Sequence, residues 1–164
     1  MFVKLSARVW GPVFWNLLFD IAHHFRGYNA ENPLKDTELF DFFAGVKNIL
    51  PCGKCRKHYE KFWLSVQDSQ RKCCADIGLE FLFPLKNAVN RRLGSPELSC
   101  QNYLEKRSNF PYTGNGLAVA ALLDYLCKVV ENDPTERSRS PLNNHWCKLT
   151  RELVRQIPGY GVVI

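Results

Sequence analysis

Apolar residues recur along the chain at the three- and four-residue spacing of an α-helix. One such run covers residues 10–25, with Gly27 placed to end it, and a second covers residues 39–50, where Pro51 stops it. No segment keeps the two-residue alternation of a half-buried strand. The pattern therefore predicts an all-α protein built as a helical bundle.

Two further helices complete the predicted four-helix bundle. The third begins at the segment Cys52-Gly53-Lys54-Cys55, and the fourth covers residues 76–93, with Gly94 and Pro96 beyond its end. Pro84 lies inside the fourth helix, so we expect either a kink there or an earlier start.

The chain continues beyond this bundle. Residues 109–116 have the composition of a loop, and two more helices are predicted at 117–131 and around 146–157. We therefore expect a bundle domain over residues 1–107 and a C-terminal extension of two helices over residues 108–164. The extension is expected to pack on the bundle or to form an interface.

Composition indicates a globular protein with more cysteines than its stability requires. The 164 residues are 46% hydrophobic and 23% charged, and a chain of this length can bury a core without help from its seven cysteines. Residues 1–7 do not resemble a signal peptide, and the longest apolar stretch, 117–130, is too short to span a bilayer. We expect an intracellular protein, in which paired cysteines are more often catalytic, redox-sensing or metal-binding than structural.

The net charge of +6 is spread over short basic pairs rather than one long run. Such a charge is compatible with nucleic acid, anionic cofactors or acidic partners. We favour a solvated basic surface over a nucleic-acid interface, because the basic residues are not concentrated in one segment.

Cys52 and Cys55 are the candidate reactive groups. Two cysteines three residues apart at the start of a helix can close a small disulfide ring, and they meet the positive end of the helix dipole. The neighbouring Lys54, Arg56 and Lys57 add positive charge. Both effects stabilise the thiolate, which is the reactive form of cysteine.

Three kinds of site compete for this pair. A zinc site needs four ligands, and Cys73-Cys74 or His58 with Cys100 would make a poor second half, so no metal site is expected. A thioredoxin-type protein needs a βαβ unit, which the sequence lacks. A redox site in a helical bundle is favoured, and it requires an electron acceptor, for which a flavin is the obvious candidate.

Three segments of the chain, together covering about residues 8–100, resemble the Erv/ALR-type FAD-linked sulfhydryl oxidases, especially those of large DNA viruses. The first segment is similar to the family's first-helix pattern, a glycine followed four residues later by a tryptophan. The second is similar to the family's Cys-x-x-Cys-x-x-His-aromatic motif. The third is similar to the family's His-Asn-x-Val-Asn-x-x-Leu-Gly-Lys-Pro motif. In this chain they read Trp10-Gly11-Pro12-Val13-Phe14-Trp15, Cys52-Gly53-Lys54-Cys55-Arg56-Lys57-His58-Tyr59 and Lys86-Asn87-Ala88-Val89-Asn90-Arg91-Arg92-Leu93-Gly94-Ser95-Pro96.

The resemblance implies a four-helix bundle that holds FAD, with a short fifth helix. It makes Cys55 the cysteine next to the flavin and Cys52 the exposed cysteine that exchanges with substrate. The residues that it implies for cofactor binding are Trp10, Gly11, Pro12, Trp15, Phe19, Cys55, His58, Tyr59, Phe83, Lys86, Asn87, Asn90 and Arg91.

The chain departs from the family pattern at several of these positions. Lys86 and Phe19 stand where the family has histidines, Pro12 replaces a common arginine, and Ser95 replaces a lysine. The family's long-spaced structural disulfide is also altered, since Cys100 matches its second half while the first half falls at Phe83. Cys73 or Cys74 is the alternative partner for Cys100, and a free buried thiol is the other reading.

The function predicted from this resemblance is an FAD-dependent thiol oxidase that makes disulfide bonds and passes electrons to oxygen, giving hydrogen peroxide. The expected partners are thiol-containing protein substrates or a thioredoxin-like relay, molecular oxygen and a second copy of the chain in a homodimer. No membrane partner is expected, and the location would be the host cytoplasm or the virion if the protein is viral. The alternatives are a non-enzymatic zinc-binding or structural helical module and a basic adaptor for nucleic acid.

Cys127 and Cys147 lie in the extension, outside the resemblance. Three roles are open for them: a shuttle disulfide that relays electrons to Cys52 and Cys55, a bridge that joins two helices, or two buried thiols.

Overall fold

The computed structural model describes residues 2–26, 33–67, 74–109 and 116–161, and over these ranges it contains helices and no strand. The all-α prediction is confirmed. Gly27, Cys73 and residues 110–115 of the predicted loop lie outside the described residues. The α-helices are α1 (Ala7–His24), α2 (Pro33–Ile49), α3 (Gly53–Gln67), α4 (Cys74–Leu93), α5 (Cys100–Asn109), α6 (Gly116–Asn132) and α7 (Ser140–Val154), with a 3₁₀ turn at Arg137–Arg139 before α7.

Helices α1 to α4 pack together as the predicted bundle. α1 lies against α4, α2 lies against α3 and α4, and α3 lies against α4. The apolar stripes that predicted these helices form the core, and the Tyr59 hydroxyl crosses from α3 to donate to the buried Phe43 carbonyl oxygen of α2 at 2.7 Å. None of the helices over the described residues combines the length and the apolar character needed to cross a membrane.

The end of α4 is fixed by a glycine in the left-handed region. Gly94 has φ of 69°, the Gly94 N–H donates to the Arg91 carbonyl and the Ser95 N–H donates to the Asn90 carbonyl. These two hydrogen bonds form a Schellman cap, in which a side chain at Gly94 would be strained. Pro84 is exposed within α4, and the helix continues through it after starting at Cys74, two residues before the predicted start.

Helix α5 was not identified from the apolar spacing, although the resemblance implied a short fifth helix. Among the described side chains of α5, Tyr103 alone is buried. Its ring packs against Phe19 at 5.0 Å and Phe83 at 5.1 Å between ring centroids. A single aromatic anchor leaves too little periodicity for the sequence to predict a helix.

The two helices expected after residue 108 are α6 and α7, which pack on α1 and α2 respectively. Trp146 of α7 is buried, donates from Nε1 to the Phe42 carbonyl oxygen at 2.8 Å, and stacks on Phe42 and Phe14. Buried residues on both sides of the predicted boundary at residue 107 form one core. The division into two domains stays a prediction.

Gly45 sets how closely α7 approaches α2, which predicts the effect of Gly45→Ala. A Cβ atom at Gly45 would lie 2.5 Å from Cδ1 of Trp146. Because the indole is fixed by its hydrogen bond, we expect the free energy of unfolding to fall by about 1–3 kcal/mol, the usual range for overpacking. Urea unfolding followed by circular dichroism measures this change.

The matched control is Gly11→Ala, where an added Cβ meets nothing within 4 Å. Replacing a helical glycine by alanine at such a position should stabilise the protein by about 0.5–1 kcal/mol. Equal stability of the two variants would contradict the close α2–α7 contact.

Candidate functional site

The candidate cysteine pair lies at the N-terminus of α3, where Cys52 caps the helix. Its carbonyl oxygen accepts the Arg56 N–H at 3.0 Å, and its Sγ accepts the Cys55 N–H at 3.3 Å. This is the hydrogen-bonding pattern of an N-cap, with sulfur in the place of the usual side-chain oxygen. Both cysteines are thiols in this structure.

The two thiols ionise differently. Burial disfavours the Cys52 thiolate, but hydrogen bonds from the Cys55 thiol and from the Cys55 and Lys54 N–H groups, together with the charge of Arg56, hold the pKa of Cys52 below its usual value. Burial raises the pKa of Cys55 to about 11, and its hydrogen bond to Cys52 and the charge of that neighbour act in the same sense. The reduced pair therefore ionises first at Cys52.

An apolar cavity of about 180 Å³ lies beside Cys55, between α1, α3 and α4. Aromatic rings and aliphatic side chains make most of its wall, and Cys55, His58 and Arg92 place titratable groups at it. Its lining residues are Ala7, Trp10, Gly11, Phe14, Trp15, Leu18, Val46, Leu50, Cys55, His58, Tyr59, Leu85, Val89, Arg92 and Leu93.

Six of the residues that the resemblance implied for cofactor binding line this cavity, namely Trp10, Gly11, Trp15, Cys55, His58 and Tyr59. Cys52 does not line it, so the structure divides the pair into a cysteine at the cavity wall and one outside. Apolar residues such as Phe14 and Leu85 were missed as site residues. Their helical spacing predicts burial equally well whether the space beside them holds another side chain or a cavity.

Arg92 is the charged residue that sequence reasoning missed. It lines the cavity, and its positive charge acts to lower the pKa of Cys55. Burial and the charges of Arg92 and Lys61 hold the pKa of His58 below its usual value. The adjacent Arg91, which was predicted as a site residue, pairs instead with Glu97 on the surface.

Asn87 and Asn90 hold the segment after α4. The Asn87 amide donates to the Leu98 carbonyl oxygen at 2.8 Å and accepts the Leu98 N–H at 2.7 Å, and the Asn90 amide donates to the Pro96 carbonyl oxygen at 3.0 Å. Neither residue lines the cavity. Each NH₂ group has a second N–H, so contact with a ligand outside the cavity stays a prediction for both.

Four other predicted residues also lie outside the cavity wall. Phe19 and Phe83 pack edge to face at 5.5 Å beside Tyr103, and Pro12 is exposed on α1. Lys86 places its Nζ 4.7 Å from the ring centroid of Trp15, a cation–π distance, and burial lowers the pKa of this lysine.

Arg56 connects the cysteine pair to the C-terminal extension. Its guanidinium donates to the Leu50 carbonyl oxygen at 2.7 Å and to the Glu136 carboxylate at 3.0 Å. Arg139 binds the same carboxylate and also donates to the Asn48 carbonyl oxygen. Burial opposes ionisation of Glu136, but the two arginines outweigh it and lower the pKa of Glu136. This network fixes the segment that leads into Cys52.

No group of three or more metal-ligating side chains occurs among the described residues. Cys73 lies outside these residues, and the side chain of Cys74 is also not described, so the alternative disulfide with Cys100 is not tested. Cys100 itself is exposed, rather than buried as the other interpretation expected.

Comparison with known proteins gives two matches. The model of the Erv1 / Alr family matches residues 12–109, which include most of α1 and all of α2 to α5. Protein 096R of Invertebrate iridescent virus 3, assigned by its name to the FAD-linked sulfhydryl oxidases, is 27% identical over 118 residues. These cover 71% of this chain and 76% of that protein. No solved structure gives a significant match.

The hydrogen bond from the Cys55 thiol predicts how Cys52 responds to pH. In the reduced protein without added ligand, the lowered pKa keeps Cys52 ionised at pH values where an ordinary thiol is protonated. The midpoint of its alkylation rate against pH should therefore lie below that of an ordinary thiol. Cys55→Ala removes the donor, so the pKa of Cys52 rises and the midpoint moves to higher pH. Iodoacetamide labelling of the Cys52 peptide across a pH series measures the midpoint.

Cys55→Ser is the matched control, because its hydroxyl can still donate to the Cys52 sulfur. Its midpoint should lie between those of the wild type and Cys55→Ala. An unchanged midpoint in Cys55→Ala would contradict the assignment of Cys55 as the donor.

Proposed function

Since the chain belongs to the Erv1/Alr family, we propose that it is an FAD-dependent thiol oxidase that makes disulfide bonds in protein substrates through Cys52 and Cys55. The observation that carries this proposal is the division of the pair. Cys55 lines an aromatic cavity, whereas Cys52 lies outside it and holds the lower pKa. This difference supports the proposal that Cys55 faces the cofactor and that Cys52 reacts with the substrate.

The cavity fits one part of FAD. Its volume is below the about 300 Å³ at the low end of small-molecule pockets, so it suits the flat aromatic ring system rather than the whole dinucleotide. Trp10, Trp15 and Tyr59 offer aromatic faces and edges for such a ring. Gly11 lines the cavity, and a Cβ atom there would meet nothing within 4 Å, so the space beside it is open to a ligand.

The rest of FAD would lie along α4, the helix that carries Lys86, Asn87, Asn90 and Arg91. Arg92 at the cavity wall and Lys86 beside Trp15 supply positive charge suited to phosphate groups. Pro12, Phe19 and Phe83 are part of the same proposal, although none of them lines the cavity. Phe19 packs beside Trp15, and Phe83 packs on Tyr103 of α5.

The chemistry assigned to the cysteines is thiol–disulfide exchange. A substrate thiolate attacks Cys52 Sγ of the Cys52–Cys55 disulfide, and Cys55 leaves as a thiolate. A second substrate thiol, as its thiolate, attacks the substrate sulfur bound to Cys52, which releases the substrate disulfide and the Cys52 thiolate. The lowered pKa of Cys52 makes it a good leaving group in this second step.

Cys55 needs support as a leaving group, because burial raises its pKa to about 11. Arg92 at the cavity wall provides positive charge that acts against this effect. When bound, FAD supplies an acceptor for the two electrons of the reduced pair, with oxygen as the final acceptor and hydrogen peroxide as the product.

The substrates that we propose are protein thiols, presented directly or by a thioredoxin-like relay, and the proposed assembly is a homodimer. Lys54 and Lys57 are exposed next to Cys52, so the surface that a substrate meets is basic. The viral relative supports a location in an infected cell or a virion.

The proposal predicts oxygen uptake that depends on both cysteines. Protein reconstituted with FAD should be yellow and should consume oxygen when dithiothreitol is added. Cys52→Ser and Cys55→Ser should each lose at least about 100-fold of this rate, because neither can form the disulfide. An oxygen electrode and a peroxide assay measure the rate and the product.

The absorption spectra distinguish the two roles. Cys52→Ser leaves the Cys55 sulfur beside the flavin and should show long-wavelength charge-transfer absorbance, which Cys55→Ser should lack while it keeps FAD. Colourless protein after reconstitution, without oxygen uptake, would overturn the proposal.

Gly11→Leu tests whether FAD occupies the cavity. The new side chain enters the open space beside Gly11, so bound ligand or cavity wall must shift at a cost of about 1–3 kcal/mol. FAD affinity should fall by about 5- to 100-fold, as measured by flavin fluorescence titration. The matched control is Val9→Leu on the same helix, where the side chain is exposed and affinity should not change. Equal affinity of Gly11→Leu and wild type would exclude the cavity as the flavin site.

A further inference from the structure

Cys127 and Cys147 form a second close pair of thiols, across the contact between α6 and α7. Their Sγ atoms are 3.7 Å apart. Cys127 is half-buried and Cys147 is 1% exposed, so one sulfur can be reached from solvent while the other lies behind it. The other hydrogen bonds of the two sulfurs are long. Cys127 Sγ lies 3.8 Å from Asn144 Oδ1, and Cys147 Sγ lies 3.9 Å from the Leu123 carbonyl oxygen.

We propose that Cys127 and Cys147 are a disulfide-forming site, which small-molecule disulfides oxidise and which covalently joins α6 to α7. An S–S bond is about 2.05 Å long, so the two sulfur atoms must approach by about 1.7 Å. Nearby contacts already hold the two helices together, since the buried Asn143 amide donates to the Leu126 carbonyl oxygen at 2.8 Å. We therefore expect side-chain rotation to bring the two sulfur atoms into bonding distance.

The environment assigns different roles to the two sulfurs. The hydrogen bond between the two thiols lowers the pKa of Cys127 to about 7, against burial. The charge of Arg151 also lowers this pKa, while Glu131 and Asp124 raise it. The same hydrogen bond, burial and the charge of Cys127 raise the pKa of Cys147. Cys127 is thus the attacking thiolate and Cys147 the resolving thiol.

The reaction with oxidised glutathione balances in two steps. The Cys127 thiolate attacks one sulfur of the glutathione disulfide, which releases one glutathione thiolate and leaves a mixed disulfide on Cys127. Cys147 loses its proton and attacks Cys127 Sγ, which releases the second glutathione. Two electrons pass from the cysteines to the glutathione disulfide, and the protons of the two cysteines end on the two released thiols.

The bond would stabilise the wall of the cavity from behind. Trp146 precedes Cys147 on α7 and stacks on Phe14, which lines the cavity. A disulfide between cysteines 20 residues apart reduces the conformational entropy of the unfolded chain. It also holds α7 on the bundle. No cofactor takes part, so this inference does not depend on the oxidase activity.

The test uses the full chain with Cys52→Ser and Cys55→Ser, so that the first pair cannot react. The protein is equilibrated with buffers of reduced and oxidised glutathione, free thiols are blocked with iodoacetamide, and digested peptides are identified by mass. The expected product is the cross-linked Cys127–Cys147 peptide, with a Tm about 5–10 °C above that of the reduced protein. Dithiothreitol should reverse both changes.

Two further variants separate the roles. With Cys147→Ser, glutathione should stay on Cys127, whereas with Cys127→Ser the buried Cys147 should stay unmodified and the Tm should not rise on oxidation. The proposal is overturned if Cys127 keeps glutathione or pairs with another cysteine while Cys147 is present. It is equally overturned if both thiols stay free in oxidised glutathione. Both overturning outcomes are measured with Cys127 and Cys147 present, so the test remains decisive even if Cys127→Ser or Cys147→Ser fails to fold.

Discussion

Cys52 caps the N-terminus of α3, because its carbonyl oxygen and its sulfur both accept N–H groups of the first turn. The same residue therefore fixes the start of the helix and carries the reactive thiol. Cys55 follows in the first turn and is thereby placed at the cavity wall. Arg56 holds this turn from two sides, through the Leu50 carbonyl and Glu136. A helix start shifted by one residue would rotate Cys55 by about 100° around the helix axis and take it away from the cavity.

The cavity imposes opposing demands on Cys55. Aromatic and aliphatic walls suit a flat ring, but the same burial disfavours the Cys55 thiolate on which the proposed exchange chemistry depends. Arg92 is the charge that the fold places there, and Lys86 puts a second cation over Trp15, the neighbouring wall residue. Lys86 thus adds positive charge beside the cavity although it does not line the wall.

Local spacing predicted α1 to α4, α6 and α7, because each presents a sustained apolar stripe to one core. It could not predict α5, which has Tyr103 as its single buried anchor among the described side chains. The cysteine pair was also predictable, since its chemistry depends on neighbours within one turn. The hydrogen-bond partners of Asn87 and Arg56 could not be predicted from local spacing. Asn87 donates to the Leu98 carbonyl oxygen beyond the end of its helix, and Arg56 donates to Glu136, which lies 80 residues away. Only the folded chain brings these groups together.

Trp146 has a consequence for how the chain is made. It packs over Gly45 and bonds to the Phe42 carbonyl, 104 residues earlier in the sequence. During synthesis α1 and α2 leave the ribosome long before α7, and until Trp146 emerges they present the uncovered side of Phe42 and Phe14 to solvent. The core can close only after α7 has been made, so contacts between distant segments control the folding rate, and the uncovered aromatic surface is exposed to aggregation until then.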